Sequence, residues 1–395
     1  MAPRARKAGD VVVINFNCQI MCMSGCRRGK TFFSALSIAI LGFPVALTAA
    51  VLPEARTDFL YHYYSGEDEV AVHGPAALTR INTSENLSVS ARYYMDMISS
   101  ASPDVVSSAS KYKDKREEFG VGIDLLNGSS AVQLSLATSK ENDYLADTFG
   151  INTSHDLFNG LTTISLGYSQ GQDRVQRVDT AFEADINRFN YRIGLSQVLT
   201  RSLLLGVGYE GTADEGYLNS PYRYVRILGA ARPEVYPNTR DSQAFAVRLV
   251  QGYASSTRAL GSSLRAEYRY FRDNWEVRSN TLSLAYQRYF GRRWLGELRY
   301  RYYQQSAASF YSDDFPVEMT YMARDKELST FHSHSLGVKA TWYFLNGKFL
   351  FLERASLNLS HDYINFDYQD YTNVLTGQLH SFGAHVMQLF VSAWY

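Results

Sequence analysis

LSVSARYYMDM, residues 87–97, sets Leu87, Val89, Ala91, Tyr93, Met95 and Met97 in one alternating series and Ser88, Ser90, Arg92, Tyr94 and Asp96 in the other. Successive side chains leave a β-strand on opposite sides, so an apolar period of two marks a strand whose faces meet different surroundings. A helix would repeat its apolar residues every three or four positions, and this stretch does not. Outward along the chain the same rhythm returns. Phe119, Val121, Ile123 and Leu125 alternate with Glu118, Gly120, Gly122 and Asp124, and Ile164, Leu166 and Tyr168 with Ser165, Gly167 and Ser169. Phe189, Tyr191, Ile193 and Leu195 oppose Arg188, Asn190, Arg192 and Gly194. Later strands carry more charge: Leu264, Ala266, Tyr268 and Tyr270 oppose Arg265, Glu267 and Arg269, while Leu298, Tyr300 and Tyr302 oppose Glu297, Arg299 and Arg301.

The connections alternate in length. Short polar turns are expected at 82–85, 127–130, 156–160, 200–202 and 290–293, and longer segments at 99–115, 172–186, 214–241, 305–331 and 367–380. Strands of roughly ten residues cross a bilayer's hydrocarbon when tilted, and the segments between these turns number about 16, an even count typical of bacterial outer-membrane barrels. The expected fold is therefore all-β: a transmembrane antiparallel up-and-down β-barrel with short periplasmic turns and long extracellular loops. A soluble secreted sandwich would also alternate. Against it, Tyr, Phe and Trp gather near the strand ends of the apolar face, and the polar face mixes very small residues with charges of both signs, which suits a wet lumen.

Composition agrees. The chain has 395 residues, 39 Lys or Arg against 39 Asp or Glu, and 29 Tyr beside 22 Phe. So many aromatic residues exclude bulk disorder, and the absence of a basic excess gives no support for a nucleic-acid partner. Cys18, Cys22 and Cys26 are the only cysteines. A disulfide framework or a cysteine-ligated metal is thereby excluded from everything after Cys26.

TFFSALSIAILGFPVALTAA, residues 31–50, carries no charge and follows Arg27, Arg28 and Lys30. With Pro44 near its end and Thr48 and Ala50 at the −3 and −1 positions, residues 1–50 read as a signal peptide cleaved near Ala50, leaving 51–395 as a single barrel domain. Residues 1–19 suit such a leader poorly, so translation is expected to start at Met21 or Met23. Residues 1–50 hold six Lys or Arg and one Asp, so the remainder has 33 basic and 38 acidic residues and a net charge of −5.

Several stretches resemble a bacterial family of outer-membrane proteins known as the domain-of-unknown-function 3570 family. They are RTDFLYHYYSGEDEV (56–70), YYMDMISSASPDVVSSASKYKDKREEFGVG (93–122), DEGYLNSPYRYVR (214–226), PEVYPNTR (233–240), EYRYFRDNW (267–275), RYYQQSAASFYSDDF (301–315) and ARDKELSTF (323–331). The resemblance implies an outer-membrane barrel and supplies no activity. The final strand, with Met387, Leu389, Val391, Ala393 and the terminal Tyr395 on one face, resembles the carboxy-terminal assembly signal of such barrels. That implies the barrel-assembly machinery and outer-membrane lipid as partners, and the bacterial outer membrane as location.

Alternation puts Arg92, Arg188, Arg192, Arg248, Arg265, Glu267, Arg269, Glu297, Arg299 and Arg301 on the polar face, where they are candidate pore-lining residues. An Arg or Lys facing lipid near the midplane would cost about 2–4 kcal/mol, so they are expected to point inward. They read either as an electrostatic filter or as a lattice of ion pairs bracing the wall. The loops 214–241 and 305–331 are long enough to fold inward and constrict the lumen. His332 and His334 could share a strand face and hold a metal, and Asp313, Asp314, Asp214, Glu215 and Asp241 could hold calcium; polar strand ends and solvated loop acids are the preferred readings. Gly206, Gly208 and Gly211 have no following helix and form no nucleotide loop. No histidine sits in a nucleophile-and-base spacing, so no enzyme, metal or cofactor is expected. The expected function is a porin-like channel for small solutes, with a non-conducting assembly or secretion barrel as the alternative.

Overall fold

The computed structural model describes residues 50–68, 70–99, 113–254, 261–374 and 376–395. The expected leader therefore lies outside the described residues apart from Ala50, as does most of the expected loop 99–115. Strands make up most of the described residues. They are β1 (Arg56–Gly66), β2 (Ala71–Ser84), β3 (Leu87–Ser99), β4 (Lys113–Asn127), β5 (Ser130–Lys140), β6 (Tyr144–Leu157), β7 (Thr162–Gln176), β8 (Glu183–Thr200) and β9 (Leu203–Gly216). There follow a small hairpin, β10 (Tyr224–Ile227) and β11 (Ala230–Pro233), and then β12 (Thr239–Tyr253), β13 (Ser262–Asp273), β14 (Arg278–Phe290), β15 (Trp294–Gln305), β16 (Phe331–Phe349), β17 (Leu352–Thr372) and β18 (Leu379–Trp394).

Sixteen of these strands, all but the hairpin, pair antiparallel with their neighbours and close into a barrel. Closure comes from β18 lying against β1, from Arg56 opposite Trp394 to Gly66 opposite Ala384. A closed barrel has no free edge, so every strand finds hydrogen-bond partners on both sides, which is what a strand in lipid requires. No helix among the described residues is long and apolar enough to cross a membrane.

The distribution of side chains is inverted relative to a water-soluble protein. Leu136, Leu166, Ile193, Phe245, Leu298, Leu336 and Leu359 are exposed on the outer wall, whereas Arg56, Asp58, Asp124, Arg248, Glu297, Asn358 and Gln388 are buried inside. The sequence rhythm dictates this, because a one-residue slip in register would exchange the two sets. Apolar packing inside the barrel is confined to one end. Tyr64, Val72, Phe331, Phe366, Tyr368, Tyr371 and Phe382 form a cluster near the rim where β1 meets β2 and β17 meets β18.

That rim carries the longer connections, 217–238 and 306–330, while the opposite rim has mostly tight turns such as 128–129 and 201–202. Two expected loops are corrected. Residues 172–176 pair with 183–187, and 367–372 belong to β17, so the connections shrink to 177–182 and 373–378. Here the strands run beyond the apolar band. Gln172, Arg174 and Gln176 lie opposite Asn187, Asp185 and Glu183, so the hydrogen-bond ladder continues where the hydrophobic period has ended.

Candidate functional site

All ten candidate lumen residues fall on the inward face of the register. Most of them are tied to an acid across a strand boundary. Arg92 meets Glu118 at 2.9 Å, Arg248 meets Glu267 at 2.5 Å, and Arg192 and Arg269 converge on Glu210 at 3.8 and 3.3 Å. Arg299 bridges Glu297 and Asp362 at 3.1 and 2.7 Å and donates to Ser360 at 2.7 Å. Arg188 lies between Asp173 at 2.5 Å and Asp214 at 3.5 Å, with Tyr144 donating to Asp173. Arg265 sits opposite Val250 and Ala285, and Arg301 opposite Ser283 and Ser335, on the same inner wall.

The wall is uneven. On β4 and β6 to β9 the inward positions include Gly120, Gly122, Gly150, Gly167, Gly171, Gly194, Gly206 and Gly208, with Ser135 on β5 and Ser165 and Ser169 on β7 between them. Some of these glycines lie under a neighbour's side chain: an added Cβ at Gly120 would come within 2.6 Å of Arg92 Nε, and one at Gly150 within 2.7 Å of Ser135 Oγ. In a ring of sixteen, β5 and β6 stand eight places from β15 and β16, so this low-relief wall faces Arg299, Arg301 and Lys339 across the lumen. Three of the lumen arginines keep much of their surface open: the side chains of Arg92, Arg192 and Arg269 are 45, 31 and 31% exposed. The middle of the barrel therefore has room for water.

The loop end is built differently. Loops 217–238 and 306–330 are stitched together by isolated bridges, Ile227 to Phe315 and Val235 to Met322. Tyr236, Trp275, Phe310, Ala323 and Leu328 form a buried apolar cluster between them. Asp325 caps the short helix Lys326–Leu328, accepting from the Glu327 amide at 3.0 Å, and pairs with Arg223 of the other loop. Lys326 then reaches the β1–β2 connection, its Nζ 3.4 Å from Asp68 and both side chains fully buried. It also lies 5.0 Å from the Phe382 ring centroid. Arg324 pairs with Asp313 at 2.7 Å and donates to the Thr372 carbonyl of β17. One loop arises between β9 and β12 and the latch ends at β1 and β2, on opposite sides of the ring, so together they span the mouth. Burial pushes the Glu234 carboxyl up to about 7, with Asp325 adding to the shift, although Tyr236 and the Arg324 amide both donate to it at 2.7 Å.

The remaining sequence candidates are placed as follows. His332 and His334 lie on the outer wall, His332 3.5 Å from Asp367 and His334 bonded to Tyr300 at 2.8 Å. Asp214 and Asp313 are not solvated loop acids: arginines pair with both. On β18, Met387, Leu389 and Val391 are exposed outward, with Ala393 on the same face, and Tyr395 Oη donates to the Arg80 carbonyl across the closing seam. Sequence reading missed Asp58, Lys339 and Asp362 in the lumen, although the alternation could have found them. It missed the Arg223–Asp325 and Lys326–Asp68 pairs because no local pattern announces them.

One of the solved structures to which the chain is similar supports the architecture. A bacterial polysaccharide outer membrane secretin is similar over 87% of this chain and 100% of its own, with 8% identity and a TM-score of 0.50. The OmpT loop-deletion mutant of Vibrio cholerae aligns over 86% of this chain and 98% of its own (8% identity, TM-score 0.43), and the siderophore receptor PirA of Acinetobacter baumannii over 86% and 60% (10%, 0.42). The search of curated proteins returned no match. The family described as "Protein of unknown function (DUF3570)" matches residues 177–356, a segment that holds five of the seven motif stretches, so the family resemblance in the sequence is borne out there.

Proposed function

We propose that the chain is a porin-like channel of the bacterial outer membrane, passing small solutes along its lumen past a plug made by loops 217–238 and 306–330. The observation that carries this reading is a contrast in accessibility. Several lumen arginines at mid-height, Arg299, Arg192, Arg269 and Arg92, keep 20–45% of their side-chain surface open, although Arg248 and Glu297 keep 10 and 3%, whereas Lys326 and Asp68 at the mouth keep none. A wet interior with a tightly packed lid suits regulated passage better than a solid brace. The arginine excess facing the glycine wall favours anionic or zwitterionic solutes. Lipid around the barrel and the barrel-assembly machinery at β18 complete the expected partners, and no catalytic step is assigned to the lumen charges.

The non-conducting barrel is the second reading, and the fully buried latch across the mouth is what favours it. Single-channel recording of the refolded chain in planar bilayers separates the two. Stepwise currents whose anion preference falls or reverses in Arg265→Glu and Arg299→Glu support the channel. Silence at every voltage and in a loop 306–330 deletion supports the closed barrel.

A further inference from the structure

The outer wall holds a feature that conduction does not use. On six consecutive strands, β15, β16, β17, β18, β1 and β2, the exposed aliphatic band gives way toward the loop rim to tyrosine and histidine. Leu298 is followed by Tyr300, Leu336 by His334 and His332, Leu359 by His361, Leu389 and Met387 by His385, and Phe59 by Tyr61. Tyrosine at that level is the ordinary interfacial girdle of a membrane barrel. Five imidazoles in one sector are not.

The contacts orient these rings. Tyr61 Oη is 2.8 Å from His73 Nδ1, and Tyr300 Oη is 2.8 Å from His334 Nδ1. When the phenol donates to Nδ1, the ring's own N–H stands at Nε2, on the far side from the tyrosine; when the ring is protonated, Nε2 still carries a proton. His361 Nε2 and His385 Nδ1 are 3.1 Å apart with the rings stacked. Titratable groups facing the five rings are few: Tyr61 and Tyr63 at His73, Tyr300 and Tyr302 at His334, Asp367 and Tyr302 at His332, and Tyr363 beside the His361–His385 pair. Asp367 is the only carboxylate among these contacts, and it also accepts from Ser381 and Asn365.

We infer that this sector is a binding surface for the phosphate groups of anionic lipid in the surrounding leaflet, with the outward imidazole N–H groups of His73, His334 and the His361–His385 pair as donors and His332 beside them, held by Asp367. Its position fits that partner, because the rings continue the lipid-facing band at the depth of the headgroups and no Lys or Arg neighbours them in the ring contacts above.

The test uses the full chain in phosphatidylcholine vesicles containing spin-labelled phosphatidylglycerol or spin-labelled phosphatidylcholine. The motionally restricted fraction gives the preference of the wall for the anionic lipid. The wild-type wall is expected to prefer the anionic lipid about fivefold, and to lose that preference in a variant combining His332→Gln, His334→Gln, His361→Gln and His385→Gln. The single variant His334→Gln, with a smaller expected loss, serves if the combined one does not fold. A wild-type wall with no preference for the anionic lipid, or a preference that persists in the histidine variants, overturns the inference. So does crosslinking that shows the sector covered by a second copy. Conduction is not involved, so a silent channel leaves the inference standing.

Discussion

Lys326 and Asp68 illustrate what a charged pair costs when it is shut away from water. Both side chains are fully buried and 3.4 Å apart. Removing one partner of such a pair typically costs about 3–5 kcal/mol because the other charge is left uncompensated, whereas removing both is far milder. Lys326→Met should therefore release loop 306–330, seen as faster hydrogen exchange at residues 306–330, and Asp68→Asn added to it should restore much of the protection. Equal exchange in the single and double variants would show that the pair is not a latch. Glu234 behaves differently because its charge is disfavoured where it sits. Its carboxyl is pushed up to about 7, chiefly by burial. A raised acid contributes stability that is complete below its unfolded value of about 4.3 and is lost as pH climbs through the folded value. Exchange in loops 217–238 and 306–330, corrected for the intrinsic pH dependence of amide exchange, should thus accelerate from about pH 4.3 to about pH 7 and level off above it. Glu234→Gln, neutral at every pH, should flatten that dependence, and a profile unchanged by it would contradict the assignment.

At the scale of the strand, the inside and outside of the barrel are set by single-residue steps. On β14, Leu284 faces outward and is 39% exposed, while its neighbour Ser283 lies opposite the lumen residues Glu267 and Arg301. Leu284→Arg should lower unfolding stability in vesicles by about 2–4 kcal/mol, and Ser283→Arg by much less. Equal losses, measured by denaturant titration, would mean the wall has no lipid side. The same alternation made the barrel and its strand number legible in the sequence, since residues such as Leu298, Arg299, Tyr300 and Arg301 can satisfy lipid and water only one way. It failed at Gln172, Arg174 and Gln176, where β7 outruns the apolar band: the outward face turns polar and the apolar residues Val175 and Ile186 are buried inside. The lumen arginines were legible for the same reason, but their partners were only partly so. Arg299 finds Asp362 on β17, two strands away in a ring whose closure no local window contains. The plug was legible only as loop length, because Lys326 and Asp68 are 258 positions apart.

For the molecule as a whole, closure is what turns alternation into function. β18 joins β1, both ends of the barrel chain lie at the turn rim, and the glycine- and serine-rich wall is brought opposite the arginine-rich one. The central claim is that one face of every strand meets lipid and the other meets water. Cysteine labelling along β7 reads this directly, in a chain whose Cys18, Cys22 and Cys26 are replaced by serine. Single cysteines at 164 to 169 would be treated in vesicles with a water-soluble, membrane-impermeant maleimide. Positions 165, 167 and 169 should label and positions 164, 166 and 168 should not. Uniform labelling, or the opposite alternation, would contradict the account.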